Sequence, residues 1–262
     1  MAALPLRTII LVLDRAWRSN EMQRRQVLAA LGLGIGFAGF RPSRTDAQSG
    51  GVAEIVDVEI VLAADGSGSI DDEELALQRR GYAEAITHPD VVRTILGGLH
   101  GRIAIAYIEW GGPYSQHTIV DWTLIDSEES AQAFATDLVE APRAAQGYNS
   151  ISGAIDYSVQ KINTNSFNGL RKIIDVSGDG PQNGGRPVQA ARDDAVAQGI
   201  TINALVVKSR GGGYPGPRGE PLEEHYRNDV IGGFGAFVMT ADETLRFNEA
   251  VRRKLVLEIA MR

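Results

Sequence analysis

The segment ADGSGSIDDEEL (64–75) carries enough side-chain oxygen atoms to bind a metal ion, and it permits two interpretations. In the first, it is most of the calcium-binding loop of an EF-hand. In the second, Asp65, Ser67 and Ser69 form an Asp-x-Ser-x-Ser motif at the end of a buried strand, and other parts of the chain complete a magnesium site. Both interpretations use hard oxygen ligands, which suit Mg²⁺, Mn²⁺ or Ca²⁺ better than Zn²⁺.

The EF-hand template requires acids at loop positions 1, 3 and 5, glycine at 6 and glutamate at 12. With Asp65 at position 3, Gly68 and Glu74 fall at positions 6 and 12, but position 1 is Ala63, which has no side-chain oxygen. The preceding residues VDVEIVLAA (56–64) are rich in β-branched types and indicate a strand, whereas an EF-hand loop follows a helix. The EF-hand is therefore the weaker interpretation. The acids at 71–74 are interpreted as the first turn of a helix and not as a second metal site.

Strands and helices alternate along the chain from residue 54 onward. Apolar, β-branched runs predict strands at 54–64, 102–110, 117–125, 171–178, 200–207 and 236–241. The first predicted helix begins near Asp71, and three more cover 127–141, 152–162 and 187–199. Asp126 is the expected N-cap of the second helix, and Gly199 is expected to end the fourth. A short helix after 210–221 and a C-terminal helix complete the pattern. Such alternation predicts an α/β fold: a Rossmann-like, mostly parallel central sheet covered by helices on both faces, with one short antiparallel edge strand.

Ligands of such folds bind at the carboxyl ends of the strands. Three loops belong to that edge: 65–69, 147–152 and 178–184. Their order, behind a buried strand that ends in Asp-x-Ser-x-Ser, resembles von Willebrand factor A (vWA) domains that carry a metal-ion-dependent adhesion site (MIDAS). The stretches at 211–241 and 247–260 are similar to an exported bacterial branch of that family. The resemblance covers about residues 54–260.

In that family a threonine from a second loop and an aspartate from a third loop complete the metal site. Ser150 in GYNSISGAI (147–155) matches the threonine, with Ser152 as a neighbouring candidate, and Asp179 in Ser-Gly-Asp-Gly matches the aspartate. A serine keeps the hydroxyl but lacks the methyl that restricts its rotamer, and the family's more usual third loop reads Thr-Asp-Gly. The resemblance thus implies a bound Mg²⁺, with Mn²⁺ or Ca²⁺ as alternatives. The implied metal ligands are Asp65, Ser67, Ser69, Ser150 and Asp179.

A metal held in this way by a vWA domain keeps an open position that an acidic side chain of a partner can fill. The resemblance therefore implies a divalent-cation-dependent protein-binding module with no catalytic residues. Two alternatives stay open: a metal-dependent hydrolase that uses the same site, and a scaffold whose site is silent. The sequence contains no Gly-x-Ser-x-Gly elbow and no phosphate-binding loop, and its four histidines lack metal-ligand spacing, so an enzyme is not the favoured interpretation.

Charge and cysteine content exclude further classes. The net charge is −7, and because residues 1–50 carry +4, the rest of the chain carries −11. A domain this acidic repels phosphate backbones, so nucleic acid is not an expected partner. The absence of cysteine excludes disulfides, thiolate zinc sites and thiol nucleophiles.

The N-terminal region has the layout of an export signal. Arg24 and Arg25 precede a 14-residue apolar run, Val27 to Phe40, which is too short for a comfortable membrane span and resembles a twin-arginine signal. We therefore predict a start-site overrun at 1–21, an export signal at 22–47 and a vWA-like domain at 48–262. The mature protein is expected to be periplasmic or secreted, without a stable membrane span.

Overall fold

Six strands form one central sheet in the computed structural model, which describes residues 53–68, 70–208, 214–242 and 246–261. The predictions for the start site and the export signal lie outside these residues, as does Ser69. The strands are β1 (Glu54–Asp65), β2 (Ile103–Trp110), β3 (Gln116–Ile125), β4 (Phe167–Gly178), β5 (Ile200–Val207) and β6 (Val238–Ala241). Their spatial order is β3-β2-β1-β4-β5-β6.

All neighbouring strands pair in parallel except β2 and β3, which are joined by a tight turn and pair antiparallel. This confirms the predicted mostly parallel sheet with an antiparallel edge strand, although β3, at ten residues, is not short. Strands β1 and β2 are buried along almost their whole length because helices cover both faces, which explains why apolar residues predominate in both.

Helices form a layer on each face of the sheet. One layer contains α1 (Asp72–Ile86), α2 (Pro89–Leu96), α3 (Glu128–Glu140) and α7 (Phe247–Ala260); the other contains α4 (Ile151–Asn163), α5 (Val188–Ala197) and the short α6 (Leu222–His225), which continues into a π-helical turn at Tyr226–Val230. Tyr82, Phe134 and Leu255 belong to the core under the first layer, whereas Trp110 and Tyr226 belong to the core under the second. Among the described residues, no helix has the length and apolar character that crossing a membrane requires.

Three local details differ from the sequence-based predictions. Helix α2 was not predicted; His88 caps it by accepting the N–H of Asp90, and Val91 and Val92 are buried. Strand β4 begins at Phe167 and not at residue 171, because its polar first half pairs with the start of β1. The prediction of Asp126 as an N-cap is wrong: Ser127 caps α3, since its hydroxyl accepts the N–H of Ser130 at 3.2 Å.

The strand order places a switch point at β1. The chain leaves β1 for β2 on one side and later returns to β4 on the other side. Connections that diverge in this way open a crevice at the carboxyl ends of the two central strands. Asp65 is the last residue of β1 and Asp179 immediately follows β4, so both predicted carboxylates lie at that crevice.

Candidate metal centre

The three predicted loops meet at the carboxyl edge of the sheet. We name them the first loop (66–70), the second loop (145–150) and the third loop (179–185). The N–H of Gly68 donates to the carbonyl of Gly147 at 2.9 Å, which joins the first loop to the second. The N–H of Asn183 donates to the carbonyl of Asn149 at 2.6 Å, which joins the third loop to the second. The approach is close, because a Cβ at Gly180 would lie 2.3 Å from Asn149 Nδ2 and would displace that side chain.

Asp65 is completely buried and only partly satisfied. Its Oδ1 accepts the N–H of Ser67 at 2.8 Å, whereas its Oδ2 has no hydrogen-bond partner among the described residues. Burial raises the pKa of Asp65 to about 7; hydrogen bonds from Ser67 and from the backbone of Asp179 oppose this rise, and the nearby carboxylate of Asp179 adds to it. The strand before Asp65 also excludes the EF-hand interpretation, which requires a helix in that position.

Asp179 presents a second unsatisfied carboxylate to the same place. Its Oδ1 is buried without a hydrogen-bond partner. Burial raises its pKa, and the negative charge of Glu74 raises it further. Tyr226 lies beneath the pair: its hydroxyl donates to the carbonyl of Gly180 at 3.0 Å, and burial together with the charges of Asp65 and Asp179 raises its pKa well above the usual value.

The lack of a counter-cation distinguishes these two carboxylates from the other described acids that have a buried oxygen without a hydrogen bond. Four further acids have a buried oxygen without a hydrogen bond: Glu109, Asp175, Glu220 and Glu258. Each of the four has an arginine or lysine nitrogen within ion-pair distance, as in the 2.7 Å pair of Arg79 with Glu109. No ion pair reaches Asp65 or Asp179 within the part of the chain that the structure describes. Because a buried unpaired carboxylate must be neutralised by a proton or a cation, and two adjoin here, their oxygens fit a divalent cation.

The predicted hydroxyl ligands differ in how firmly they are engaged. Ser67 is buried, and its hydroxyl hydrogen-bonds to the carboxylate of Asp65. The hydroxyl of Ser150 caps α4 by accepting the N–H of Gly153 at 3.3 Å, and donates to the carbonyl of Gly184 at 3.2 Å. One lone pair of this hydroxyl is still available to a cation. Ser69 lies outside the described residues.

Ser152, the neighbouring candidate, is held by the side chain of Gln182. Its hydroxyl accepts the amide of Gln182 at 2.9 Å, and its N–H donates to the Gln182 carbonyl oxygen at 2.9 Å. This double contact fastens the start of α4 to the third loop. No sequence pattern identifies Gln182, because its partner is 30 residues away and no motif connects them.

Arg143 is a further residue that the sequence analysis missed. Its Nη2 donates to the carbonyl of Ile70 at 2.7 Å and to those of Ser67 and Gly66 at 3.3 and 3.4 Å. Its Nη1 pairs with Asp72 at 2.8 Å. One guanidinium thus fixes the backbone on which the first-loop ligands lie, and its fork of donors suits this task.

Glu220, His225 and Asp229 form a separate cluster in which one ligand atom of each lies within 4.8 Å of the others. Arg218 supplies positive charge to this cluster, since its Nη2 lies 3.1 Å from Glu220 and 2.8 Å from Asp229. His225 Nε2 accepts the N–H of Gln182 at 3.3 Å, so Nδ1 carries the proton that is donated to Asp229 at 2.8 Å. We interpret the cluster as an ion network that supports the third loop.

Comparison with solved structures shows that this α/β fold is shared. The pilus adhesin SpaC from Lactobacillus rhamnosus GG aligns with a TM-score of 0.55 at 16% identity, over 78% of this chain and 31% of that chain. A von Willebrand factor type A from Catenulispora acidiphila aligns at 0.52 and 13% identity, over 78% and 42%. Proximal thread matrix protein 1 from the mussel byssus, with a zinc-occupied MIDAS motif, aligns at 0.51 and 14% identity, over 78% and 46%. The aligned part is thus less than half the length of each of these proteins.

The central sheet, its switch point and the three-loop centre define a vWA-like domain. Within that class, the chain belongs to the family described as protein of unknown function (DUF1194), whose model matches residues 55–262. A search of curated proteins returned no match.

Proposed function

We propose that this chain is a divalent-cation-dependent protein-binding module, in which three loops hold the ion and an acidic group of a partner completes its coordination. The observation that carries the proposal is the pair of buried, unpartnered oxygens, Asp65 Oδ2 and Asp179 Oδ1. Both lie at the switch point of the sheet and lack the counter-cation that accompanies every other described acid with a buried, unbonded oxygen. Two carboxylates whose charge the chain itself does not neutralise are best explained by a bound ligand that neutralises it.

Each proposed ligand has a defined task. The carboxylates of Asp65 and Asp179 supply the negative charge, directly or through water, and Asp65 orients the hydroxyl of Ser67. Ser67, Ser69 and Ser150 bind through neutral oxygens, which Mg²⁺ accepts, with Mn²⁺ and Ca²⁺ as alternatives. When bound, the ion would offer an electrophilic position to a carboxylate from outside the chain.

Two of the similar structures support this proposal. One is a pilus adhesin and another has a zinc-occupied MIDAS motif, and the shared fold makes the same use of the crevice reasonable here. An adhesin and a byssus matrix protein also agree with the export signal predicted at 22–47, so we propose that this protein acts in the periplasm or after secretion.

The hydrolase alternative receives no support from the histidine nearest these loops. A metal-assisted hydrolase needs a general base near the third loop. His225 contacts that loop, but one ring nitrogen accepts the N–H of Gln182 and the other hydrogen-bonds to Asp229. Both nitrogens are therefore engaged in positioning.

Calorimetric titration of Mg²⁺, Mn²⁺ and Ca²⁺ into the full chain tests the metal site. We expect one ion per chain for the wild type, loss of that binding in Asp65→Ala, and unchanged binding in Glu73→Ala. The second variant removes an exposed acid from the helix start and is the matched control. Binding that persists in Asp65→Ala but disappears in Glu73→Ala would contradict the proposal and move the ion to the acids at 71–74.

A further inference from the structure

The surface around the metal centre includes an uncharged sector. Three segments adjoin there: the β2–β3 turn (111–115), the second loop (145–150) and the part of the third loop that follows Asp179 (180–185). None of them contains a lysine, arginine, aspartate or glutamate, in a chain of which 23% is charged. Depletion of charge is the compositional signal of the buried centre of a protein interface.

Hydrogen bonds fix the β2–β3 turn beside the second loop. The N–H of Gly112 donates to the carbonyl of Gln146 at 2.9 Å, and the N–H of Ser150 donates to the carbonyl of Gly111 at 2.7 Å. The turn also approaches the third loop, since a Cβ at Gly184 would lie 3.1 Å from Pro113 Cγ. The three segments therefore form one continuous surface next to the metal ligands.

Two tyrosines on this surface are exposed to an unusual extent. Tyr114, in the β2–β3 turn, is 101% exposed, and Tyr148, two residues before the ligand Ser150, is 79% exposed. Large aromatic rings left in water lose the free energy that their burial would supply, and tyrosine is enriched among the residues that dominate binding energy at interfaces. Both rings are thus available to a partner that reaches the ion.

The adjoining sector, at the start of α1, is acidic. Asp71 caps the helix, Asp72, Glu73 and Glu74 occupy its first turn, and Arg143 pairs with Asp72. Arg143 joins this helix start to the first loop, because it donates to the carbonyl of Ile70 at 2.7 Å while it pairs with Asp72. A partner whose carboxylate binds the ion is therefore attracted on this side if it carries positive charge, and repelled if it carries further acids.

We propose that the partner is a protein segment of mixed chemistry: a carboxylate for the ion, an aromatic residue that packs on Tyr114 and Tyr148, and a basic residue that faces Glu73. This inference rests on the proposed function, because the carboxylate places the other two groups. The tyrosines then supply apolar contact, and the acidic helix start selects the orientation of the segment.

A library of seven-residue peptides with a fixed central aspartate, displayed on phage, tests this inference. Selection is carried out on the immobilised full chain with millimolar Mg²⁺, and bound phage are eluted with a chelator. The same selection uses the double variant Tyr114→Ser/Tyr148→Ser and the charge reversal Glu73→Lys. Phe234→Ser is the matched control, because Phe234 is 88% exposed but lies next to Thr201, at the opposite edge of the sheet.

For the wild type and Phe234→Ser, we expect peptides with an aromatic residue on one side of the aspartate and lysine or arginine on the other. The double variant should lose the aromatic enrichment, Glu73→Lys should lose the basic enrichment, and the wild-type peptides should bind the double variant about tenfold more weakly. Metal-dependent peptides without either enrichment would overturn this inference and leave the proposed function intact. Calorimetry that shows no bound ion would overturn both.

Discussion

Replacing Asp65 by asparagine should abolish metal binding and, without metal, stabilise the fold. Asparagine keeps the shape of the side chain and an oxygen that can accept the N–H of Ser67, but it removes a negative charge that has no ion-pair partner among the described residues. The charge is useful only when the ion is bound. A residue that lowers the stability of the empty protein and is required for binding is expected at a functional site.

The size of the effect follows from the pKa of Asp65, which burial raises from 3.8 to about 7. Each tenfold change in a protonation equilibrium corresponds to about 1.4 kcal/mol, so ionising Asp65 at pH 8 costs the folded state at most about 4 kcal/mol. Asparagine is a weaker acceptor, and its NH₂ group loses water on burial, which together cost about 1 to 2 kcal/mol. The net gain at pH 8 is therefore about 2 kcal/mol, or a rise in Tm of about 4 to 8 °C for a domain of this size.

The sign of the effect depends on pH. The folded pKa is raised, so the folded protein binds a proton more tightly than the unfolded chain, and the penalty is fully present above about pH 7 and absent below about pH 3.8. The advantage of asparagine should shrink as the pH falls from 8 to 5. Saturating Mg²⁺ should reverse the order of stability, because an ion at a hundredfold excess over its Kd stabilises only the wild type, by about 2.7 kcal/mol.

Thermal denaturation in a chelator and in Mg²⁺, at pH 8 and pH 5, measures all of these quantities. Asp57→Asn is the matched control: Asp57 lies on the same strand, but its Oδ1 and Oδ2 accept the N–H of His100 at 2.9 and 3.1 Å. This substitution should lower the Tm at both pH values. If Asp65→Asn also lowered the Tm at pH 8 in the chelator, Asp65 would be a structural hydrogen-bonding residue and the reasoning would be refuted.

Three further predictions concern the loops and the core. Mg²⁺ affinity should fall by up to tenfold per pH unit below about pH 7, because protons compete with the ion for Asp65. A calorimetric pH series that showed a constant affinity would contradict this competition. Arg143→Ala should weaken Mg²⁺ binding about tenfold, because three carbonyl groups of the first loop lose their hydrogen-bond donor, and Arg143→Lys should recover part of the affinity. Equal affinities of both variants and the wild type would exclude a positioning role for Arg143. Lys254→Met should destabilise the fold by about 3 to 5 kcal/mol, measured by urea denaturation, because it leaves the buried carboxylates of Asp175 and Glu258 without their cation. An unchanged unfolding midpoint would refute the proposed role of Lys254.

The features that the sequence predicted well are those that burial on both faces dictates. Strands β1 and β2 lie between two helical layers, so most of their residues are apolar, apart from the buried acids Asp57, Glu59 and Glu109, and their ends are marked by glycine or polar residues. The alternation of such strands with helices fixes the parallel sheet, and the parallel sheet brings Asp65 and Asp179 to one edge although 113 residues separate the two positions. The family resemblance supplied Ser150 and Asp179 as partners.

What the sequence could not predict depends on contacts between distant residues. Arg143 binds carbonyl groups, and carbonyl groups are the same in every residue, so no pattern in the first loop identifies its partner. Gln182 and Ser152 meet only because the third loop packs on the start of α4. Helix α2 was predictable in principle, because proline in the first turn followed by apolar residues such as Val91 and Val92 is typical of a helix start. The helix has only eight residues, however, which is too few to show a clear helical periodicity.

Two groups of acids on or beside β4 show how a structural charge differs from a functional one. Asp175 is buried on the face that packs against α7, where Lys254 Nζ lies 2.6 Å away and also pairs with Glu258, to which Asn203 donates at 2.8 Å. Here the chain supplies its own cation, which makes the network independent of any ligand. Four residues further along, Asp179 joins Asp65 at the end of the sheet with no such cation. Because both groups have buried carboxylate oxygens without hydrogen bonds beside the same strand, burial alone does not explain the difference, and the missing charge at the sheet edge is what a bound ion would provide.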